Sequence, residues 1–466
     1  MWMIRDISFY KRLLWLVAPL ALQNVITYSV SLADNMMVGQ LGELSLSAVF
    51  VSNQVQNILH MLVMGLSAAL IVLAAQYWGN QDRQRTQAVV GIALRFGLTA
   101  AAMVLLATVF WPRQILRLFT DEEAVIEAAL PFLSIVRWSY LFFCLTQILI
   151  AAMRCVETVK IAFYLSLVTL AVNVSLNWLL IFGNLGFPAL GLRGAAIATL
   201  AARIAETTAI LYYVVFVDQK LRLRLKNLLW RDSDLTRRFV RYGLPVVIGD
   251  ITWGINIAVQ GAIIGRLGAP ALASVSIANV IFSIIGVAVY GTAGASAVII
   301  GQAVGSGDIE KVKQYARTLQ GVFLVVGVLT GLVMFALRLP ILSLYDLEPD
   351  TLVMARHLLT VLSIMIVGTS YQMSTLTGIV RAGGATHFVL LNDLFWIWIV
   401  IMPSAFLAAF VFEASPVVVF AILKADQILK CGVAVVKVNR FRWIKNLTTG
   451  DHSGPKQKKT ATAKAV

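Results

Sequence analysis

An offset of 226 residues carries Pro19 onto Pro245, Gly39 onto Gly265, Leu41 onto Leu267 and Gly42 onto Gly268. The same offset pairs Leu46 with Leu272, Asn53 with Asn279, Gly65 with Gly291, Gln76 with Gln302, Gly79 with Gly305 and Asp82 with Asp308. These identities need no gap, and glycine is prominent among them, which shared hydrophobicity alone does not produce. The chain is therefore a duplicated unit, and whatever one half folds into the other must repeat.

The unit is built for a bilayer. Apolar runs of about 20 residues cross a membrane as helices, and twelve can be drawn. They lie at 13–38, 46–78, 88–111, 124–152, 161–183 and 190–217, then at 239–265, 271–304, 314–338, 352–380, 385–411 and 415–438. Charged residues make up 13% of the chain, about half of what a soluble domain carries. Six spans per half is an even number, so both halves enter the membrane from the same side. The expected fold is an all-α polytopic membrane protein. Twelve transmembrane helices form two six-helix bundles related by a pseudo-two-fold axis along the membrane normal. Residues 1–217 form the N-terminal bundle, 218–238 a basic cytoplasmic linker suited to anionic headgroups, 239–440 the C-terminal bundle and 441–466 a basic, disordered tail. The apolar run ending in Ser31-Leu32-Ala33 resembles a cleavable leader, but its repeat partner at 245–265 is internal, so it reads as a retained first span.

Charge sets the orientation. Of the 38 Lys and Arg, 27 fall in segments on the side of the termini and six (Arg113, Arg117, Arg193, Arg266, Arg338 and Arg356) in segments on the other. Positive residues stay inside, so both ends are expected in the cytoplasm and the protein in the plasma (inner) membrane. The same bias explains the net charge of +15 and leaves nucleic acid without support. The three cysteines and four histidines are scattered, with no metal-ligand spacing and no cluster for a membrane-embedded enzyme. No phosphate-binding glycine loop follows a strand, so no cofactor is expected, and energy for transport would come from an ion gradient.

Polar residues inside the spans are then the functional candidates, because an ionised side chain in hydrocarbon costs several kcal/mol unless protonated, paired or facing water. Asp34 has no basic neighbour in sequence and can exchange a proton or bind a monovalent cation. Asn173 and Asn177, four apart and on one helical face, and Thr199 on the sixth span reach the same half of the membrane. Asp250 lies near mid-membrane with no basic residue in its span before Arg266. Arg203 with Glu206, and Asp426 with Lys430, have the spacing of helical ion pairs; Asp393 reads as a helix cap. Pro19 and Pro245 each remove a backbone donor within a span and offer a hinge to each half.

Several of these stretches together resemble the multidrug and toxic compound extrusion (MATE) family, bacterial DinF-like and NorM-like transporters, across residues 8–440. They are Asp34-Asn35-Met36-Met37-Val38-Gly39-Gln40-Leu41-Gly42, Arg154, Val172-Asn173, Pro188-Ala189-Leu190-Gly191, Gly194-Ala195-Ala196-Ile197-Ala198-Thr199, Pro245 and Arg381-Ala382-Gly383. The resemblance implies a V-shaped pair of bundles that exports amphipathic or cationic organic compounds in exchange for H⁺ or Na⁺; the protein is expected to act as a monomer. It implies an ion site at Asp34, Asn173 and Thr199, with Asn177 standing where the DinF-like branch has an aspartate. The sodium-coupled branch resembles a C-terminal site instead, but Trp253 and Ser370 fall near its acidic positions. A lipid-linked precursor flippase of related build is the alternative; it needs a basic cavity that the spans do not supply.

Overall fold

The computed structural model describes residues 4, 6–228, 230, 232–343 and 348–448. The described elements are all helical. In the first half these are α1 (Ile7–Gly39), α2 (Glu43–Gly79), α3 (Arg83–Phe110), α4 (Pro112–Arg117), α5 (Glu123–Val136), α6 (Ser139–Cys155), α7 (Lys160–Phe182) and α8 (Leu192–Tyr212). The short α9 (Leu225–Leu228) lies in the linker. The second half holds α10 (Ser233–Gly265), α11 (Ala269–Ile285), α12 (Val287–Gly305), α13 (Ile309–Leu342), α14 (Pro349–Thr375), α15 (Thr386–Leu394), α16 (Met402–Phe410), α17 (Pro416–Lys424) and α18 (Asp426–Asn439). Wide π-helical turns extend α14 through Leu376–Arg381 and join α15 to α16 through Phe395–Ile401.

Among the described residues ten helices are long and apolar enough to cross a membrane, and the pair α5–α6, bent by 53°, makes an eleventh. Three expected spans are thus broken rather than straight. The break in 124–152 follows Pro131, which removes a backbone donor. The run 271–304 parts at Gly286, where ψ relaxes to −4°. The run 415–438 parts at Ala425, between two charged residues that turn inward.

The repeated residues recur because each meets a local need twice. Asp82 and Asp308 are the N-caps of α3 and α13, accepting from Arg85 N at 2.9 Å and Lys311 N at 3.0 Å. Gly42 and Gly268 enter α2 and α11 with φ of 101° and 108°, where a side chain would be strained. Gly79 of α2 packs against the backbone carbonyl of Gln302, and Gly305 of α12 against that of Gln76. A methyl group on either would overlap the opposite helix. Higher up, Gly65 of α2 faces Val247 of α10, and Gly291 of α12 faces Val17 of α1. The first helix of each half therefore packs on the second helix of the other, and α2 crosses α12 between them.

This four-helix contact is confined to one end. Gly39, Gly42, Gly261 and Gly265, at the far ends of α1 and α10, have no neighbour within 4 Å of where a side chain would start. The bundles meet at the end where α1 begins and α18 finishes, and part at the other. Core packing is shared across the junction. Residues of α2, α3, α5, α6, α7 and α8 form one apolar cluster, joined by Leu235, Phe239 and Val246 of α10. A second joins the start of α1 (Phe9, Leu13, Leu16, Leu20) to α12, α13 and α18, and a third fills α11, α14, α16 and α17.

The linker is not a free strand on the surface. Asp218 accepts from the backbone N–H of Leu221 and Arg222, Leu221 is fully buried, and its carbonyl takes bonds from Arg83 (2.8 Å) and Gln87 (2.6 Å) of α3. The tail expected to be disordered from residue 441 is ordered through Thr448. Trp443 is fully buried and Leu447 nearly so, because the short chain after α18 carries two apolar side chains into the junction. The rest of that tail, 449–466, lies outside the described residues.

The glycine contacts give a sign that can be measured. Gly305→Ala should cost about 1–3 kcal/mol, as overpacking does, and lower the thermal midpoint in detergent. Gly261→Ala, in open space, should leave it unchanged.

Candidate ion-coupling site

Asp34 sits on the last third of α1, where that helix packs against α7. Its carboxylate is half-buried and accepts a hydrogen bond from Asn177 Nδ2 at 2.5 Å. The same amide lies 3.3 Å from Asn173 Oδ1, one turn earlier on α7. Both asparagines are buried. Asn177 Oδ1 is enclosed and has no hydrogen-bond partner. The Asp34 carboxylate and Asn173 Oδ1 thus both accept from the Asn177 amide nitrogen, while the Asn177 oxygen is left without a partner. Thr199, half-buried on α8, makes no hydrogen bond to this group among the described residues.

Around it stand residues that the sequence did not single out together. The Arg203 guanidinium pairs with Glu206 at 2.7 Å and lies 5.3 Å from the centre of the Phe143 ring. His60 of α2 also packs against that ring, at 5.6 Å between ring centres. Arg203 is within electrostatic range of both Asp34 and His60. The Arg203–Glu206 pairing read from their spacing is present; what spacing could not tell is that it is turned toward Asp34.

Asp250 is placed differently from the expectation of a carboxylate without a cation. Arg381, at the end of the π-helical turn after α14, comes to 3.2 Å from its Oδ1. The partner arrives from a helix 131 residues away, which no span-by-span reading reveals. The first half has the matching arrangement in neutral form: Arg154, ending α6, donates to Gln23 Oε1 of α1 at 2.9 Å. Asp393 is not a helix cap. It falls late in α15 and binds Lys430 at 2.8 Å, while Lys430 also reaches Asp426 at 3.1 Å. Gln427 donates to both Asp426 oxygens at 2.9 Å.

Comparison with known proteins agrees with this architecture. The MatE family pattern matches residues 19–179 and 251–407. A probable multidrug resistance protein, NorM, of Rhizobium meliloti is 29% identical over 313 residues, 66% of each chain. The probable multidrug resistance protein YoeA of Bacillus subtilis is 26% identical over 86% of this chain and 87% of its own length. Among solved structures, the Vibrio cholerae MATE transporter VcmN in its bent form superposes with a TM-score of 0.83 at 19% identity, covering 93% of this chain and 97% of that one. Two family-length matches in tandem, on a duplicated helical fold with an acidic residue at the end of its leading helix, place the assignment beyond composition: the chain belongs to the MatE family.

Proposed function

We propose that this chain is a cation-coupled multidrug antiporter, with Asp34 as the group that binds the driving ion. One observation carries this reading. Among the described residues, the other carboxylates within the spans all have a basic partner: Glu127 has Arg113, Glu206 has Arg203, Asp250 has Arg381, and Asp393 and Asp426 share Lys430. Asp34 has no ion-pair contact: an amide donates to it, and the nearby Arg203 is held by Glu206. A buried charge with no counter-charge is costly, so Asp34 is the position where an external cation gains most by arriving.

The chemistry available there is simple. A proton on Asp34 can be donated to an amide oxygen of Asn177 or Asn173, and a monovalent cation can instead gather those oxygens with the carboxylate. Either removes the uncompensated charge. Coupling then requires that the loaded and empty forms favour different arrangements of the bundles. Helix α1 supplies the link. Its first half, Phe9 to Leu20, is packed with α12 of the other bundle, and its last third carries Asp34 against α7. Pro19 lies between the two, about 22 Å from Asp34 at 1.5 Å per residue. A shift of α1 on α7 is therefore transmitted to the seam between bundles. The positive-inside distribution supports an inner-membrane protein with both termini in the cytoplasm, and so a cleft opening outward in this conformation. The exported compound is read as an amphipathic or cationic organic molecule, by analogy with the relatives named for multidrug resistance.

Two outcomes follow. Asp34→Asn should abolish gradient-driven dye efflux from everted vesicles while leaving expression and thermal midpoint near wild type. Efflux at the wild-type rate would refute the assignment, and imposing H⁺ and Na⁺ gradients separately identifies the ion. Arg381→Met should instead act through stability, costing on the order of 3 kcal/mol by stranding Asp250. The double variant with Asp250→Asn should recover most of that loss in a thermal-shift measurement.

A further inference from the structure

The chain after α18 turns back sharply at Phe441, whose φ is +53°, and runs under the end where the two bundles meet. Trp443 donates its indole N–H to Val438 O at 2.8 Å and fills the space a side chain at Gly383 would need. Lys445 N–H bonds the Gly383 carbonyl at 2.8 Å. Four residues after Trp443, Leu447 passes Gly384 and joins a different apolar cluster, built mainly from the helices of the first bundle. Trp443 belongs to the cluster of α12, α13 and α18. One short segment therefore has an apolar anchor in each bundle.

Gln76 of α2 ties this segment to the crossing. Its Oε1 accepts from Leu447 N–H at 2.8 Å, and its Nε2 donates to Ala382 O of the second bundle at 3.1 Å. The Leu447 carbonyl accepts from Arg238 at 3.1 Å and from the Tyr77 hydroxyl at 3.4 Å. The pseudo-symmetric residue, Gln302, does the mirror-image task with different material. Its Nε2 donates to Cys155 O of the first bundle at 2.8 Å, but its Oε1 accepts from the Arg12 side chain at 2.8 Å, itself paired with Glu157. Where one side of the crossing is closed by an arginine, the other is closed by the C-terminal chain.

We propose that residues 441–448 are a clasp that holds the two bundles together at the terminus-bearing end, that Gln76 is its positioning residue, and that the clasp must let go for this end to open during transport. The last step rests on the antiporter reading above; the closure itself does not. For α2 and α12 to part, Leu447 must leave the first bundle or Trp443 the second, and the Gln76 amide must lose both partners. Arg12 closes its side of the crossing with one side chain, which can keep Glu157 and release Gln302 when the seam opens, whereas a backbone segment seated in two apolar clusters cannot follow both bundles.

The test measures the seam directly. In a variant with Cys144, Cys155 and Cys431 replaced, spin labels at Asn80→Cys and Gly307→Cys report the distance across the crossing in reconstituted protein. Wild type should give a narrow, short distribution. Leu447→Asp should broaden it toward longer distances, Gln76→Ala should do so to a lesser extent with Leu447 still present, and Leu447→Met should restore the narrow one. If Leu447→Asp does not fold, the Gln76→Ala and Leu447→Met pair decides. An unchanged distribution in Gln76→Ala, or in Leu447→Asp protein of normal thermal midpoint, overturns the clasp. A shifted distribution in a protein that shows no gradient-driven efflux leaves the clasp standing and removes the antiporter reading instead.

Discussion

Hydrocarbon offers no solvation to a charge, so an ionised group inside these bundles must find a counter-charge or a polar partner within the protein. Much of the interior is arranged by that need. Lys430 is almost wholly buried between Asp393 and Asp426, and Arg381 turns in from the end of α14 to meet Asp250. These contacts tie α10, α14, α15 and α18 to one another at fixed heights. In the first half, Arg203 is committed to Glu206 within α8, and Asp34 is left with amides. The second bundle pairs its buried carboxylates with cations; in the first, Asp34 has no ion-pair partner while Arg154 is met by the neutral Gln23. That difference, more than any single residue, distinguishes the two copies of an otherwise repeated unit.

The repeat explains why the difference matters. Gly79 and Gly305 let α2 and α12 touch backbone to backbone, and α1 and α10 each reach across to the opposite bundle. No helix at this junction can move without a partner in the other half. Asp34 lies on one of these shared helices, at the end where the bundles have already separated. Its charge state is thus felt by an element that belongs mechanically to both halves.

Features set by short-range needs were readable in the sequence. The caps Asp82 and Asp308, the left-handed glycines Gly42 and Gly268 and the close-approach pair Gly79 and Gly305 recur at one offset because the local geometry recurs. Asn173 and Asn177 were placed on one face by helical period, and that face does meet Asp34. What escaped was tertiary. Arg381 meets Asp250, and Lys430 meets Asp393, only once distant helices pack, and the break at Gly286 depends on how α11 and α12 are seated. The tail looked disordered because its composition is polar and basic as a whole. Two apolar residues, Trp443 and Leu447, outweigh that average by having a cavity each to fill.

The unequal use of Gln76 and Gln302 shows how a duplicated fold acquires direction. Both keep the ancestral task of donating to a carbonyl of the opposite bundle, Ala382 O and Cys155 O. Their acceptor oxygens have diverged: one takes a guanidinium from α1, the other a backbone N–H from the end of the chain. A side chain on α1 moves with the helix that carries Asp34. A backbone segment pinned in both cores resists the same motion. The two sides of the crossing are consequently coupled to different events, one to the ion-bearing helix and one to the C-terminal segment, and a symmetric V gains an order in which its contacts must break.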